Sequence, residues 1–511
     1  MKKRHYITLI AAVLAAVVPP CGHSAERKPN IILFLVDDMG WMDCEPYGSQ
    51  YYETPNLTRL AKQGMRFTQA YAAPACSPTR ASILTGQSTA RHGVTGALCH
   101  LPPKVWRPYP PAAPPTVEHL RPNGELFLDP GLPTMAQSLK AAGYHTGHFG
   151  KWHLGLLREN WPDRYGFDEI WHCAPDPAPP SYFSPYGVHP DGEPSPRHKV
   201  GNITDGPEGE HITDRLTEEA IGFITANKDR PFYLSLWHYS VHSPFEGKEE
   251  EMQYFAKKTD PTGRQGNPIM ASMLKTMDDG LGRVLDCLDE LDIAENTLLV
   301  FLSDNGGPKT NLSRKPADNP ARLAYDRWAH GLPATNNEPL RAGKLHVYEG
   351  GIRVPLIVRW PGQVAAGSVR DDLVAAEDLF PTVLDLLDLP APEGGVFDGV
   401  TFLPALTGKG DSARREVFTW WPYMVGAGGK LPPVSYPGAA LRSGDWKLIR
   451  FFEDPSDAPR IQLYNLRDDI GETNNLAAKH PERVAELSAR IDEILADSGA
   501  RLPKPNPAFK K

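Results

Sequence analysis

Between residues 30 and 360 short runs rich in apolar residues repeatedly give way to polar clusters. Asn30–Val36 is the clearest case, apolar at every position after the first. A run of this kind, without alternation, predicts a strand buried on both faces of a parallel sheet. Pro231–Leu236, Thr297–Leu302 and 355–360 predict further strands, and the more mixed Met65–Tyr71 and the stretch from Gly143 to a close at Gly150-Lys151 are read as strands too. Helical periodicity falls between them, from Thr54-Pro55 to about Gly64 and over Thr134–Ala142, Ile212–Ala226, 268–291 and Asp378–Leu387. Strands alternating with helices predict an α/β domain whose central, mostly parallel sheet is flanked by helices. After Leu389 the texture changes. Short strands over Val417–Trp420, Ala440–Arg442, Trp446–Phe452 and Gln462–Tyr464 precede a charged helix, Pro481–Ala496, and predict a small α+β subdomain with an antiparallel sheet.

A length of 511 residues agrees with two domains rather than one core. The expected division is a leader at 1–25, a large domain at 26–389 and the C-terminal subdomain at 390–511. The leader has basic Lys2-Lys3-Arg4, an apolar run from Ile7 to Val18, then His23-Ser24-Ala25, which reads as a secretory signal. The run is too short to span a bilayer, and no later one is long and apolar enough. Cys21 suits lipid attachment badly because Pro19-Pro20 precede it, so the expected product is exported, periplasmic or secreted, with no membrane span.

Net charge is −8 and falls to −11 once the three basic residues of the leader are removed, which argues against a nucleic-acid partner. An anionic small substrate is not excluded, because a pocket can be basic on an acidic protein. The 52 prolines concentrate in loops at 101–133 and 174–210, and Tyr182, Phe183 and Tyr186 in the second suit carbohydrate recognition as well as plain loop packing. Of the cysteines beyond the leader, Cys44, Cys99, Cys173 and Cys287 allow two disulfides in three connectivities, with no zinc-like spacing.

The polar clusters that end the strands carry the chemistry. Asp37-Asp38 close the first strand and Ser303-Asp304-Asn305-Gly306-Gly307 a later one, placing hard oxygen donors where an α/β sheet builds its site. Cys76-Ser77-Pro78-Thr79-Arg80 opens a helix, with Pro78 suited to its first turn. That puts Cys76 at a helix N-terminus, where free N–H groups favour an anion, with Arg80 one turn on. Lys151-x-His153, His242-x-Pro244 and Arg341-Ala342-Gly343-Lys344 follow further strands, and Tyr348-Glu349-Gly350-Gly351-Ile352-Arg353-Val354-Pro355 leads into the next.

Cys-x-Pro-x-Arg resembles the signature of the type I, formylglycine-dependent sulfatases of the alkaline phosphatase superfamily, and the other motifs follow in that family's order over roughly residues 28–475. Phe149 is bulkier than the residue expected before Gly-Lys, a departure that concerns packing. The resemblance implies that a formylglycine-generating enzyme oxidises Cys76 to an aldehyde whose hydrate is the nucleophile. It implies one divalent cation held by Asp37, Asp38, Asp304, Asn305 and the modified residue 76, with the oxygen donors favouring Ca²⁺ and Mg²⁺ as the alternative. Arg80, Lys151 and Lys344 would clamp the sulfuryl oxygens, His242 would protonate the leaving alcohol, and His153 would deprotonate the second hydroxyl of the hydrate. His238 reads as a structural neighbour. The implied activity is hydrolysis of a sulfate monoester on a small molecule or carbohydrate. Two alternatives remain: a phosphatase or phosphodiesterase of the same superfamily, and a protein that binds sulfated glycan without turnover.

Overall fold

The computed structural model describes residues 28–101, 107–113, 115, 117–171, 178–186, 204–309, 320–329, 331–423, 435–455 and 458–510. The leader, Cys21, Cys173, residues 102–106, 114 and 116 of the first long loop and 174–177 and 187–203 of the second lie outside the described residues.

The first strand, β1 (Asn30–Val36), is buried along its whole length. It lies in an eight-stranded sheet with β2 (Met65–Tyr71), β3 (His145–Gly150), β4 (Glu169–Trp171), β5 (Phe232–Trp237), β6 (Thr297–Ser303), β7 (Arg353–Arg359) and β8 (Ser368–Ala375), in the order β4-β3-β5-β1-β6-β7-β2-β8. Every neighbouring pair is parallel except those of β7, which runs against both β6 and β2. Tyr71, at the end of β2, therefore faces Arg353, at the start of β7. The segment entering β7 is delivered to the edge where the other strands finish.

Alternate residues of β1 feed two cores. Ile32, Phe34 and Val36 pack with α1 (Pro55–Gln63), α4 (Ile212–Asn227) and α5 (Pro268–Glu290). Ile31, Leu33 and Leu35 pack on the other face with α2 (Cys76–Thr85), α3 (Met135–Ala141) and α6 (Leu379–Leu386). Local signals set the helix starts: Pro55 opens α1, a Thr134–Gln137 capping box opens α3, and Asn267 Oδ1 accepts from Ile269 N at α5. Phe149 is buried against Phe223 and Trp171.

The C-terminal sheet is antiparallel, in the order β9 (Glu416–Trp421), β10 (Gly438–Ser443), β11 (Trp446–Phe451), β12 (Ile461–Asn465). Its period-two pattern again serves two faces. Trp420, Leu441, Leu448 and Leu463 meet α7 (Pro481–Asp497) through Leu487, Ile491 and Leu495. Trp421, Ala440, Ile449 and Tyr464 meet Ala75, Val347 and Tyr348 of the large domain. No disulfide forms among the described cysteines: Cys44, Cys76, Cys99 and Cys287 are free and buried. No helix among the described residues is long and apolar enough to cross a membrane.

Candidate active site

The C-terminal ends of the central strands converge, and backbone hydrogen bonds continue past them. Asp304 N donates to Val36 O (3.0 Å), Asp37 N to Ser240 O (2.8 Å), and Lys151 N to Trp237 O (2.8 Å). The turns after β1, β3, β5 and β6 are thereby held in register, and the side chains they carry meet in one place.

Asp37 and Asp38 follow β1; Asp304 and Asn305 follow β6. Asp38 N donates to Asp304 Oδ1 at 3.1 Å, and Asn305 Nδ2 donates to Asp38 Oδ1 at 2.8 Å. Cys76 is the first residue of α2, and Arg80, one turn along, donates from Nε and Nη2 to Asp304 Oδ2 at 3.0 and 2.7 Å. The Lys151 ammonium is hydrogen-bonded to Asp37 Oδ2, and Lys344 Nζ lies 2.5 Å from Asp38 Oδ1. His153 Nδ1 is 3.5 Å from Cys76 Sγ, and His242 Nε2 is 3.7 Å from Asp38 Oδ2. His242 donates from Nδ1 to Ser243 O at 2.6 Å, so the nitrogen facing the carboxylate is its Nε2. All of the expected site residues are brought together.

Burial is nearly complete for this group, and Lys344 and His242, 13% and 15% exposed, mark the side that opens to solvent. Asp38 and His153 sit at φ +64° and +54°, a conformation that costs a side-chain-bearing residue energy and recurs where geometry serves function. Burial drives the Asp37 carboxyl well above its usual range, and the Asp304 charge adds to it. Burial would raise Asp38 too, but Lys344, His242 and Lys151 hold it well below the carboxylate range. Burial and the Lys344 and Lys151 charges push the His242 imidazole down, and burial with Lys151 does the same to His153. Burial raises the Cys76 thiol, and a protonated thiol is a weak nucleophile.

Oxygen donors outnumber the hydrogens offered to them. Asp37 Oδ1 and Asn305 Oδ1 are buried without a hydrogen-bond partner. Such orphaned acceptors are costly unless something else fills them. Ligand atoms of Asp37, Cys76 and Asp304 lie within 4.8 Å of one another, as do those of Asp37, Asp38 and His242. The two groups share Asp37, so among the described residues they outline one cation site, and its carboxylate and amide oxygens suit a hard divalent ion. The donor set fits.

Several contributors were not apparent from the sequence. His100 Nδ1 is 3.2 Å from His153 Nε2, Ser77 Oγ donates to His153 O (2.7 Å), and the Tyr182 hydroxyl lies 2.8 Å from His242 O. All three contacts are tertiary, and no local pattern announces them. His238 has both ring nitrogens buried without partners and packs on Phe34, and burial lowers it to about 3, as expected of a structural residue. Gly306 and Gly307 are required for close approach rather than for a left-handed turn: a Cβ on Gly306 would lie 1.9 Å from Gly350 O.

Comparison with known proteins places these features in a family. The sulfatase family model matches residues 29–389, and a model of the C-terminal part of N-sulphoglucosamine sulphohydrolase matches 342–499. The chain is 31% identical to a sulfatase of Formosa agariphila, over 97% of this chain and 93% of that protein. It is 32% identical to an N-acetylgalactosamine-6-O-sulfatase of Bacteroides thetaiotaomicron, over 92% and 93% of the two chains. Among solved structures, Ps i-CgsB in complex with k-i-k-neocarrahexaose superposes with a TM-score of 0.70 at 26% identity, covering 94% of this chain and 95% of the other. A phosphonate monoester hydrolase of Agrobacterium radiobacter shares the fold with a TM-score of 0.60 at 19% identity, covering 95% and 98%.

Proposed function

The chain belongs to the sulfatase family of the alkaline phosphatase superfamily and is a sulfuric ester hydrolase, and we propose that its substrate is a sulfated carbohydrate. The orphaned oxygens of Asp37 and Asn305, set beside Cys76 and the cations Arg80, Lys151 and Lys344, carry the reading. A sulfated N-acetylgalactosamine is the substrate class to test first, because relatives at 32–33% identity carry that activity in their names.

Residue 76 is proposed to act as formylglycine, which provides a hydrated carbonyl oxygen where a buried thiol would be a poor nucleophile. Asp37, Asp38, Asp304 and Asn305 would hold one divalent cation, Ca²⁺ by its preference for oxygen donors, which would polarise the sulfate ester when bound. The remaining work falls to the chain's own side chains. Arg80, Lys151 and Lys344 present positive charge from three directions to the sulfuryl oxygens, in a buried setting that strengthens each contact. His242, at the open side, keeps its Nδ1 proton on Ser243 O, so it would serve the leaving oxygen through Nε2 once a bound anionic sulfate ester favours the imidazolium. His153, with Nδ1 on residue 76, is placed to remove the proton of the second hydroxyl so that the aldehyde re-forms. The phosphonate hydrolase likeness shows the fold alone, and among the described residues the ligand groups outline one cation site, which favours this reading over the two-metal phosphatase alternative. Export rests on the leader at 1–25, ahead of a family match that begins at residue 29. The proposed division at 389/390 is supported by the end of the sulfatase family match at residue 389, with the first strand of the small sheet beginning at Glu416.

Protein purified from its native host should release sulfate from 6-sulfated N-acetylgalactosamine oligosaccharides and carry the aldehyde in the residue 76 peptide by mass spectrometry. Activity confined to aryl phosphates, or full activity with an intact thiol, would overturn the reading.

A further inference from the structure

His153 has two ring nitrogens and two polar neighbours. Nδ1 faces Cys76 Sγ at 3.5 Å, and Nε2 faces His100 Nδ1 at 3.2 Å, with the rings tilted by 35°. His153 is fully buried, and in the neutral ring one proton serves its two nitrogens. That proton can sit on either nitrogen, and the choice decides what the ring can do. On Nδ1 it would point at residue 76, so the ring would donate there. On Nε2 it would point at His100, leaving a lone pair on Nδ1 to accept from residue 76. The contacts favour the second arrangement. A thiol at 76 is a weak S–H donor that finds an acceptor in Nδ1 and would be the poorer acceptor in the reverse pairing, while the 3.2 Å contact to His100 is within ordinary hydrogen-bond reach.

We propose that His100 is a positioning residue: its Nδ1 accepts the hydrogen bond from His153 Nε2–H and so fixes the tautomer and angle of His153 with the Nδ1 lone pair aimed at residue 76. The backbone suits the task. His100 follows the buried Cys99, and Leu101 N donates to Leu98 O at 2.9 Å, closing a turn that holds the ring over the site. The catalytic meaning rests on the sulfatase reading above, in which a hydroxyl at position 76 must lose a proton to His153. The tautomer assignment stands without it.

Two readouts separate the cases. In unmodified Cys76 protein, nitrogen-15 shifts of His153, assigned with His153→Gln, should report a proton on Nε2. In His100→Leu they should move toward a mixture of tautomers. Identical shifts in wild type and His100→Leu would overturn the inference, whatever the enzyme does. In modified enzyme, His100→Leu should lower kcat on the order of tenfold to a hundredfold with KM little changed. It should also accumulate a sulfate ester on residue 76, visible in the intact mass after rapid quenching. His100→Asn, whose amide oxygen can accept in place of Nδ1, should recover most of the loss. Unchanged kcat in His100→Leu, or a change in KM alone, would overturn the positioning role; a wild type that releases no sulfate would defeat the sulfatase reading and leave the tautomer result intact.

Discussion

Two buried charge clusters lie near one another in this fold, and they are built in opposite ways. The active site gathers Asp37, Asp38 and Asp304 with Arg80, Lys151 and Lys344, and leaves acceptor oxygens of Asp37 and Asn305 unfilled. The second joins the large domain to the C-terminal sheet. There Lys447 Nζ of β11 lies 2.9 Å from Glu349 Oε1 and 2.8 Å from Glu472 Oε1, and Glu472 Oε2 accepts from Glu349 N (2.7 Å). Tyr71 donates to Glu349 Oε2 (2.8 Å), Arg353 approaches the same oxygen at 3.4 Å, and Arg442 is hydrogen-bonded to Tyr71 and Gln69. Here each carboxylate oxygen has a cation or a donor of the chain against it: Glu472 Oε1 makes no aligned hydrogen bond but is ion-paired with Lys447, whereas Asp37 Oδ1 and Asn305 Oδ1 have no hydrogen-bond partner. The comparison teaches that buried charge alone does not mark function; the mark is a set of charges that the protein does not complete by its own groups.

Substitutions should therefore affect different observables in the two clusters. The largest effect is expected at position 76: Cys76→Ser, left unmodified, should abolish turnover of a sulfate ester while folding remains, as measured by sulfate release and thermal melting. Lys344→Ala should follow, lowering kcat/KM on the order of a hundredfold or more with the fold retained. Lys447→Met inverts the pattern. Leaving two buried carboxylates without their shared cation should cost about 3–5 kcal/mol in denaturant unfolding, with activity per folded molecule much less affected. If Lys447→Met instead abolished activity in folded protein, the contrast would collapse.

Cation binding should touch only the open cluster. Ca²⁺ at about a hundred times its Kd should stabilise the fold by about 2.7 kcal/mol, and Asp304→Asn should remove most of that gain while Glu472→Gln leaves it in place. The smallest effect concerns pH. Burial and the Glu349 charge raise Glu472 above its ordinary value of 4.5. Its folded form prefers the proton, so its share of stability is full below that value and is lost as pH rises through the raised one. Glu349 is opposite: burial is outweighed by Lys447 and Arg353, and its share fades as pH falls below 4.5. Glu472→Gln should flatten the decline of stability on the neutral side, read from unfolding curves across pH.

Sequence patterns served best where both faces of a strand are buried. Asn30–Val36 is found at the expected bounds, because an unbroken apolar run has few alternative environments, and Met65–Tyr71 is found at its expected bounds although Arg66, Thr68 and Gln69 interrupt it. Ser368–Ala375 escaped, since Arg370, Asp371 and Asp372 interrupt it: it is an edge strand with an open flank. The strand expected at 355–360 begins at Arg353 and runs backwards in the sheet, a direction that no local pattern encodes. The site was legible because its residues sit just past strand ends. His100 was not, because its partner is 53 positions away and only the fold brings the rings together. The cysteines could not be paired from spacing, and the described ones are unpaired.

The burial of all ten residues of α2 bears on timing. Cys76 lies beneath the C-terminal sheet's contact with Ala75 and behind the Lys344 loop, with 1% of its surface reachable. On the formylglycine reading, a maturation enzyme can engage this segment only while the chain is still open. Oxidation and folding then compete, and a molecule that folds first is sealed as a thiol. The active fraction of a preparation would be set during synthesis, by the speed of maturation against the speed of collapse, and slower expression should raise it.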